Sequence, residues 1–600
     1  MIILFSITIC LILKAYLMAR NIDQSESNGD DHILIISLYP LFFALHIRMV
    51  GGVQMTQQLR YKALLDAVES FIKNALDVQV TDESNSDYGG FRCPDHLICE
   101  LWSAVNTFTT MVIIFFNSDS QYYHSQTLLQ RMVMTLRFIT NSQNDDGTIN
   151  IFFLGKIKTT TNLAYILNTL LKSYRLITRD CSILKILNSL ESILKKIVNT
   201  LKLDNEQQQT QRIAIASTLI DYDKFFFDHT ASSKAQTYLA DRVNINHDGM
   251  YINKTFGQSM LSNAMILNIA KKLNKLYMIE YVRRNLNFAI YNNDLSIESD
   301  TEFLHDEYSP LGYGVWKEMS IMDHNGYYAT AGDKLIEKLL DSIKDGYISY
   351  NKSDLLLSND NYYSRFFLTS YIGEFLLIEE ELKNDGVNRL PIPNNYTKIF
   401  NESNIARIRK NKINATIKAN NSDIFSIENG QVAIKYLRIS YKCNGNKYFK
   451  PGRLEANHSS YILRDWFFYS QPESNKHDPS IADLNIIVEF VYKNDHFEID
   501  MSANGMKNIP FFIEFGIKKQ DKLKINNKDI MVSDFDVVYI DSGKVMITCG
   551  EDSIGILGGK IQHRLYQNED IWTRNLGTIS IMITPITPFN DKIQIFYNQY

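Results

Sequence analysis

From Leu59 to Leu382 apolar residues return every third or fourth position, and their stripes predict one helix after another. They run from Leu59 to Ala75, Trp102 to Phe116, Tyr123 to Ile139, Leu163 to Leu176, Ser182 to Leu201, Ile213 to Leu219 and Lys334 to Ile343. The sharpest stripe is Leu261, Met265, Ile269 and Leu273, widened by Ile266 and Ala270. After a turn at Asn274 a second stripe follows through Ile279, Val282, Leu286 and Ile290. Two stripes joined by so short a turn make an antiparallel helical hairpin. The polar stretch ahead of it turns at Asp248-Gly249, where glycine tolerates a positive φ. Loops carried on rigid helices are where binding chemistry usually sits.

Asn384 to Asn404, with Pro391 and Pro393 among asparagines, breaks the helical pattern and reads as a linker. Short β-branched and aromatic runs then alternate with Gly, Asn and Asp. They are Asn414 to Lys418, Gln431 to Tyr441, Tyr461 to Tyr469, Leu484 to Tyr492, His496 to Met501, Pro510 to Ile517, Asp536 to Ile540, Lys544 to Cys549 and Thr578 to Thr584. Their spacing predicts a large antiparallel β-sandwich.

A chain of 600 residues, 45% of them hydrophobic and 22% charged, has apolar surface enough for two or three cores. With 62 basic against 67 acidic residues it offers no global attraction to nucleic acid or to an anionic membrane, so an acidic partner needs a local basic patch. Cys10, Cys93, Cys99, Cys181, Cys443 and Cys549 are scattered without metal-ligand spacing, and no acidic cluster suited to calcium appears; no metal or other cofactor is expected. Two apolar runs, Ile2 to Leu13 and Ile33 to Leu45, open the chain, and neither makes a comfortable bilayer span. Residues 1–54 are therefore expected to be a leader or a mis-extended N-terminus. The protein is secreted or periplasmic if the first run is a signal, and cytoplasmic otherwise.

His247-Asp248-Gly249-Met250-Tyr251 and Val282-Arg283-Arg284-Asn285-Leu286 carry a family likeness. The pair resembles the Asp-x-Asp-Gly-x-Tyr loop and the Arg-Asn-Leu helix end of the heparinase II/III-like polysaccharide lyases. Ser403-Asn404-Ile405-Ala406-Arg407-Ile408-Arg409-Lys410 resembles that family's entry into its second domain. The likeness runs from about Tyr88 to the C-terminus. It implies an α + β multidomain chain: an N-terminal incomplete (α/α) toroid over residues 55–383, a linker over 384–404, and an antiparallel β-sandwich over 405–600.

A polysaccharide lyase needs a base for the proton α to a uronate carboxylate, an acid for the leaving oxygen and a neutraliser for the enolate. The resemblance places these roles on Tyr, His and Asn or Glu side chains, and several matched positions differ here. The family's Asn-His pair falls on Thr210 and Gln211, its catalytic tyrosine on Gln258, the upstream glutamate on Asn253 and a cleft aspartate on Asn162. Amides exchange no proton near neutral pH, yet they still donate hydrogen bonds to a carboxylate or hydroxyl. Arg212 is retained and its fork suits a uronate, although a solvated arginine at a helix start fits the same letters. Tyr251 is either a catalytic acid or a packing aromatic, and Tyr88 either stacks on a sugar or belongs to a turn. His305 beside Asp306 offers a base with its carboxylate, or a lone surface histidine.

Three functions stay open on these residues. One is β-elimination on an acidic polysaccharide or oligosaccharide, with activity reduced or lost. A second is a glycan-binding relative without catalysis. The third is an inverting glycoside hydrolase using Asp306 and Asp248, whose carboxylates would then flank a water about 6.5 to 9.5 Å apart.

Overall fold

The computed structural model describes residues 56–149, 152, 153, 156, 157, 160–179, 183–240 apart from 207, 242–252, 256–292, 310–348 and 364–443 apart from 384 and 385. It also describes 445–493 apart from 458 and 470–481, 495–541 apart from 519–521, 527 and 531–536, and 543–597 apart from 566–577. Both opening apolar runs, and with them the expected leader, lie outside these residues. Among the described residues no helix is long and apolar enough to cross a membrane.

Among the described residues thirteen α-helices come first: α1 Gln57–Val78, α2 Leu101–Phe116, α3 Gln126–Asn141, α4 Thr160–Ile177, α5 Leu184–Leu203, α6 Gln209–Phe226, α7 His229–Tyr238, α8 Phe256–Lys272, α9 Ile279–Asn292, α10 Pro310–Asp323, α11 Gly326–Ser342, α12 Arg365–Ser370 and α13 Ile372–Glu381. The apolar stripes located most of them to within a few residues. Those missed have physical excuses. α7, HTASSKAQTY, is polar and short, and it forms where the Asp228 side chain caps the amides of Thr230 and Ala231. α10 carries Gly314, which lets Ile378 of α13 approach to 3.4 Å of where its Cβ would stand.

α2 buries its polar stripe of Ser103, Asn106, Thr107 and Thr110 as fully as its apolar faces, so it is enclosed on every side. Every residue from Leu101 to Phe115 but Trp102 is buried. Helix α2 packs on α4, α4 on α6, α6 on α8, α8 on α10, α10 on α13, and α13 again on α2. Amphipathic partners flank that cycle: α3 rests on α2, α5 on α4, α7 on α6, α9 on α8 and α11 on α10.

The sheets follow. In the first, Asn395–Phe400, Ile405–Lys410, Ile413–Lys418, Asp423–Asn429, Val432–Lys442, Phe511–Lys518, Thr578–Ile583 and Val537–Tyr539 lie side by side. In the second the order is Leu454–Asn457, Ser460–Tyr469, Ala482–Tyr492, His496–Gly505, Phe589–Phe596, Asp552–Gly558, Lys544–Cys549, Lys522–Ile525 and Lys528–Ile530. Side chains of both sheets share one core, where Phe425 of the first stacks on Phe490 of the second at 5.1 Å and meets Phe497 at 5.3 Å.

Two expectations change here. The pairing of Val537–Tyr539 with Thr578–Ile583 is parallel, because the chain visits the second sheet between those strands and returns from the same end. The segment read as a linker holds the strand Asn395–Phe400, paired with Ile405–Lys410 across a turn in which Asn404 takes φ 55°. The proline-rich composition belongs only to its first half. Helices and sheets meet along this strand: Phe288 of α9 packs edge-on against Phe400 at 4.8 Å, and Tyr291 against Tyr396 at 5.0 Å.

Candidate functional site

Helices α4, α6 and α8 of the α2 to α13 cycle run in the same direction. Tyr174, near the end of α4, contacts Phe225 and Phe226 at the end of α6, with ring centroids 5.7 and 4.9 Å apart. Asp221 of α6 accepts from Asn268 of α8 at 2.8 Å and pairs with Lys272, the last residue of α8, at 3.6 Å. With their C-terminal ends together, the N-terminal ends of α4, α6 and α8 lie side by side on one rim.

Four of the candidate residues stand there. Asn162 is the third residue of α4, Gln211 and Arg212 the third and fourth of α6, and Gln258 the third of α8. Asn162, Gln211 and Arg212 are half-buried, while Gln258 is exposed. Gln211 lies beside Gln208, at 3.1 Å, and the Glu206 carboxylate. The loop that precedes α8 is fastened to the same rim, because the Gln209 side chain receives the amide of Asn244 at 2.9 Å and donates to the carbonyl of Arg242. An N-terminal rim of parallel helices presents unpaired amides and the positive ends of their dipoles.

The Asp248 turn faces the first sheet. Asp248 Oδ2 accepts the Ser403 amide at 2.7 Å, the Asn246 amide group donates to Ser403 Oγ at 2.9 Å, and the His247 amide donates to Glu402 at 2.8 Å. Gly249 takes φ +99°, and a Cβ there would lie 2.2 Å from the Arg284 carbonyl oxygen, so glycine is required. With one oxygen engaged by Ser403, Asp248 acts as a clasp between loop and sheet.

Tyr251 points the other way. It has no exposed surface; its hydroxyl donates to Asn263 Oδ1 at 2.7 Å, Asn263 donates to Asn285 Oδ1 at 2.7 Å, and Asn285 donates to the Gly249 carbonyl at 2.8 Å. Burial pushes the Tyr251 phenol far above its usual range. So placed, Tyr251 packs the loop onto α8 and α9 and meets no solvent. Tyr88 is 9% exposed, with the Arg137 guanidinium 5.1 Å over its ring, which leaves little surface for a sugar. Asn253, His305 and Asp306 lie outside the described residues.

Further along the cycle's interior, Asn168, Lys172, Arg175, Ser217, Asp221, Asn268, Lys272, Glu374 and Glu381 line a cavity of about 230 Å³. Its charges are matched across helices: Lys172 with Glu374, Arg175 with Glu381 at 2.5 Å, and Lys272 with Asp221. Burial raises the Asp221 pKa and lowers that of Lys272. The sequence pattern hid these groups, since each stands among apolar neighbours at helical spacing. Among the described residues no group of three His, Cys, Asp or Glu side chains is close enough to hold a metal ion.

No protein-family model matches the sequence, and no curated protein is similar to it. Among solved structures the fold is similar to the Paenibacillus xanthan lyase, with a TM-score of 0.55 and 10% identity over 92% of this chain and 58% of that one. It is also similar to the Streptomyces coelicolor A3 chondroitin AC lyase solved with chondroitin sulphate, with a TM-score of 0.50 and 8% identity over 91% of this chain and 78% of that one. A mutant of the heparan sulfate lyase HepC from Pedobacter heparinus gives a TM-score of 0.47 and 9% identity over 89% of this chain and 83% of that one. The chain spans little more than half the length of the xanthan lyase. Its structural neighbours thus include polysaccharide lyases, alike in fold at identities that carry no activity across.

Proposed function

We propose that this protein binds an acidic polysaccharide or oligosaccharide across the N-terminal rim of α4, α6 and α8, as a divergent heparinase II/III-like relative whose β-elimination is reduced or lost. In this reading the cycle of helix contacts is the inner wall of an incomplete (α/α) toroid, and the sugar lies between that rim and the first sheet. The observation that carries it is the shared level of Asn162, Gln211, Arg212 and Gln258 on three parallel neighbours. Arg212 supplies a fixed fork for a uronate carboxylate, and the helix ends add positive potential. The amides hold hydroxyls and carboxylates in place.

Proton transfer is the weak part of this site. Gln211 and Gln258 carry no titrating proton, and Tyr251 is enclosed in the core with its hydroxyl committed to Asn263. Asp248, committed to Ser403, does not favour the hydrolase reading. Binding without turnover is therefore the stronger form of the proposal. The test pairs titration of the full chain with hyaluronan, chondroitin sulphate, polygalacturonate and neutral cellulose fragments with absorbance of the unsaturated uronate. Selective acidic binding with little or no absorbance is expected. Equal binding of neutral chains would refute it.

A further inference from the structure

The guanidinium side chain of Arg407 is 6% exposed. Its Nε donates to the Tyr291 carbonyl at 3.1 Å, one Nη to Asn414 Oδ1 at 2.8 Å and the other to Thr416 Oγ1, all neutral acceptors. Among the described residues no carboxylate pairs with it directly. The nearest negative charge in this chain of bonds is Glu428, reached only through the Asn414 amide at 3.0 Å. A buried cation without a counter-charge is costly, and proteins rarely keep one unless something supplies the missing charge.

There is room for that charge. Arg407 lines a cavity of about 290 Å³ between α9 and the first sheet, together with Ser259, Asn285, Ala289, Thr416 and Lys418. That is close to the lower bound of about 300 Å³ for ordinary ligand pockets. Ser259 directly follows Gln258, so the cavity opens beside the rim where the sugar is placed. Phe288 and Met250 give it an apolar wall against which a sugar ring face can rest, and Lys418 adds a second cation.

We infer that this cavity is a subsite for one anionic sugar substituent, a uronate carboxylate or a sulfate ester, with Arg407 as its enclosed counter-cation. The inference rests on the acidic-glycan reading above and adds to it a site on the sheet side of the rim. Binding should be selective for charge at this one unit, and salt should weaken it less than it weakens contacts at the exposed rim.

The test uses the full chain in calorimetric titrations with three tetrasaccharides: hyaluronan (carboxylate only), chondroitin 4-sulfate (carboxylate and sulfate) and neutral chitotetraose. Two variants attack the cavity from opposite walls. Arg407→Gln removes the charge, and Ala289→Leu fills the space from α9 without touching any charge. Acidic affinity is expected to fall about tenfold or more in both, with chitotetraose unchanged. A loss confined to the sulfated chain identifies a sulfate ester, and a loss for both acidic chains identifies the carboxylate. Should Arg407→Gln fail to fold, Ala289→Leu and Lys418→Gln decide the matter alone. A folded cavity variant that binds acidic chains within about twofold of the parent overturns the inference and leaves Arg407 a structural residue. If Arg212→Ala abolishes binding while the cavity variants bind normally, only the subsite falls. If the parent protein binds no acidic chain, the rim reading falls with it.

Discussion

The hydroxyl of Tyr251 donates to Oδ1 of Asn263 at 2.7 Å inside the helical core. That bond locks the Asp248 loop to α8, and through Asn285 to α9. Tyr251→Phe leaves a buried carbonyl acceptor without its donor, so the variant should lose about 1–3 kcal/mol in chemical denaturation. Glycan binding of the folded protein should be unchanged. Unaltered stability with abolished turnover would return Tyr251 to the list of catalytic groups.

Arg212 makes an opposite forecast. It stands in the first turn of α6 on the rim, and Arg212→Ala should cost little stability. Its loss should weaken acidic-oligosaccharide binding by about 1.5–3 kcal/mol, the range for hydrogen bonds to charged groups. The deficit should shrink as salt rises and be absent for neutral chains, both readable by titration calorimetry.

Lys317 and Glu379 form an ion pair at 3.2 Å with neither side chain exposed, and Tyr313 donates to the same carboxylate. Breaking such a pair strands a buried charge. Lys317→Met should cost about 3–5 kcal/mol, and adding Glu379→Gln should recover part of it, because the amide oxygen still accepts from Tyr313. Denaturant midpoints of the single and double variants check this. A double variant no more stable than Lys317→Met would contradict it.

Asp228 caps α7 and pairs with Lys202 of α5 at 2.9 Å. Burial alone would raise its pKa, but the Thr230 hydroxyl, Lys202 and the Ala231 amide prevail and bring it down to about 2. A folded-state pKa below the unfolded value of about 3.9 adds stability that is present above that value and is lost as pH falls through 2. Asp228→Asn keeps the cap and drops the ion pair. Solvent screening limits the effect, so the variant should lower stability by no more than about 1 kcal/mol at neutral pH, and its thermal midpoint should converge on the parent's between about pH 4 and pH 2. A constant gap across that window would show that the carboxylate charge is not responsible.

Much of the architecture was legible in the letters because period alone separates helix from strand. The stripes at Leu261 and Ile279 and the turn at Asn274 reappear as α8 and α9 with Asn274 at φ 53°. Illegible segments were those whose folding depends on a distant partner. α10 needs Ile378 against its glycine face, and Asn395–Phe400 becomes a strand by pairing with Ile405–Lys410 and covering α9.

The same division runs through the site. Local sequence marked Asn162, Gln211, Arg212 and Gln258 as unusual, because each replaces or keeps a group at a recognisable place in a motif. Their common level came from helix packing, since three stretches scattered along the chain share a rim only when their helices run parallel and in phase. The fates of Tyr251 and Arg407 lay equally beyond reach. Burial and counter-charge are properties of the surroundings, and Asn263, Asn285 and Asn414 join those surroundings only after the chain has folded.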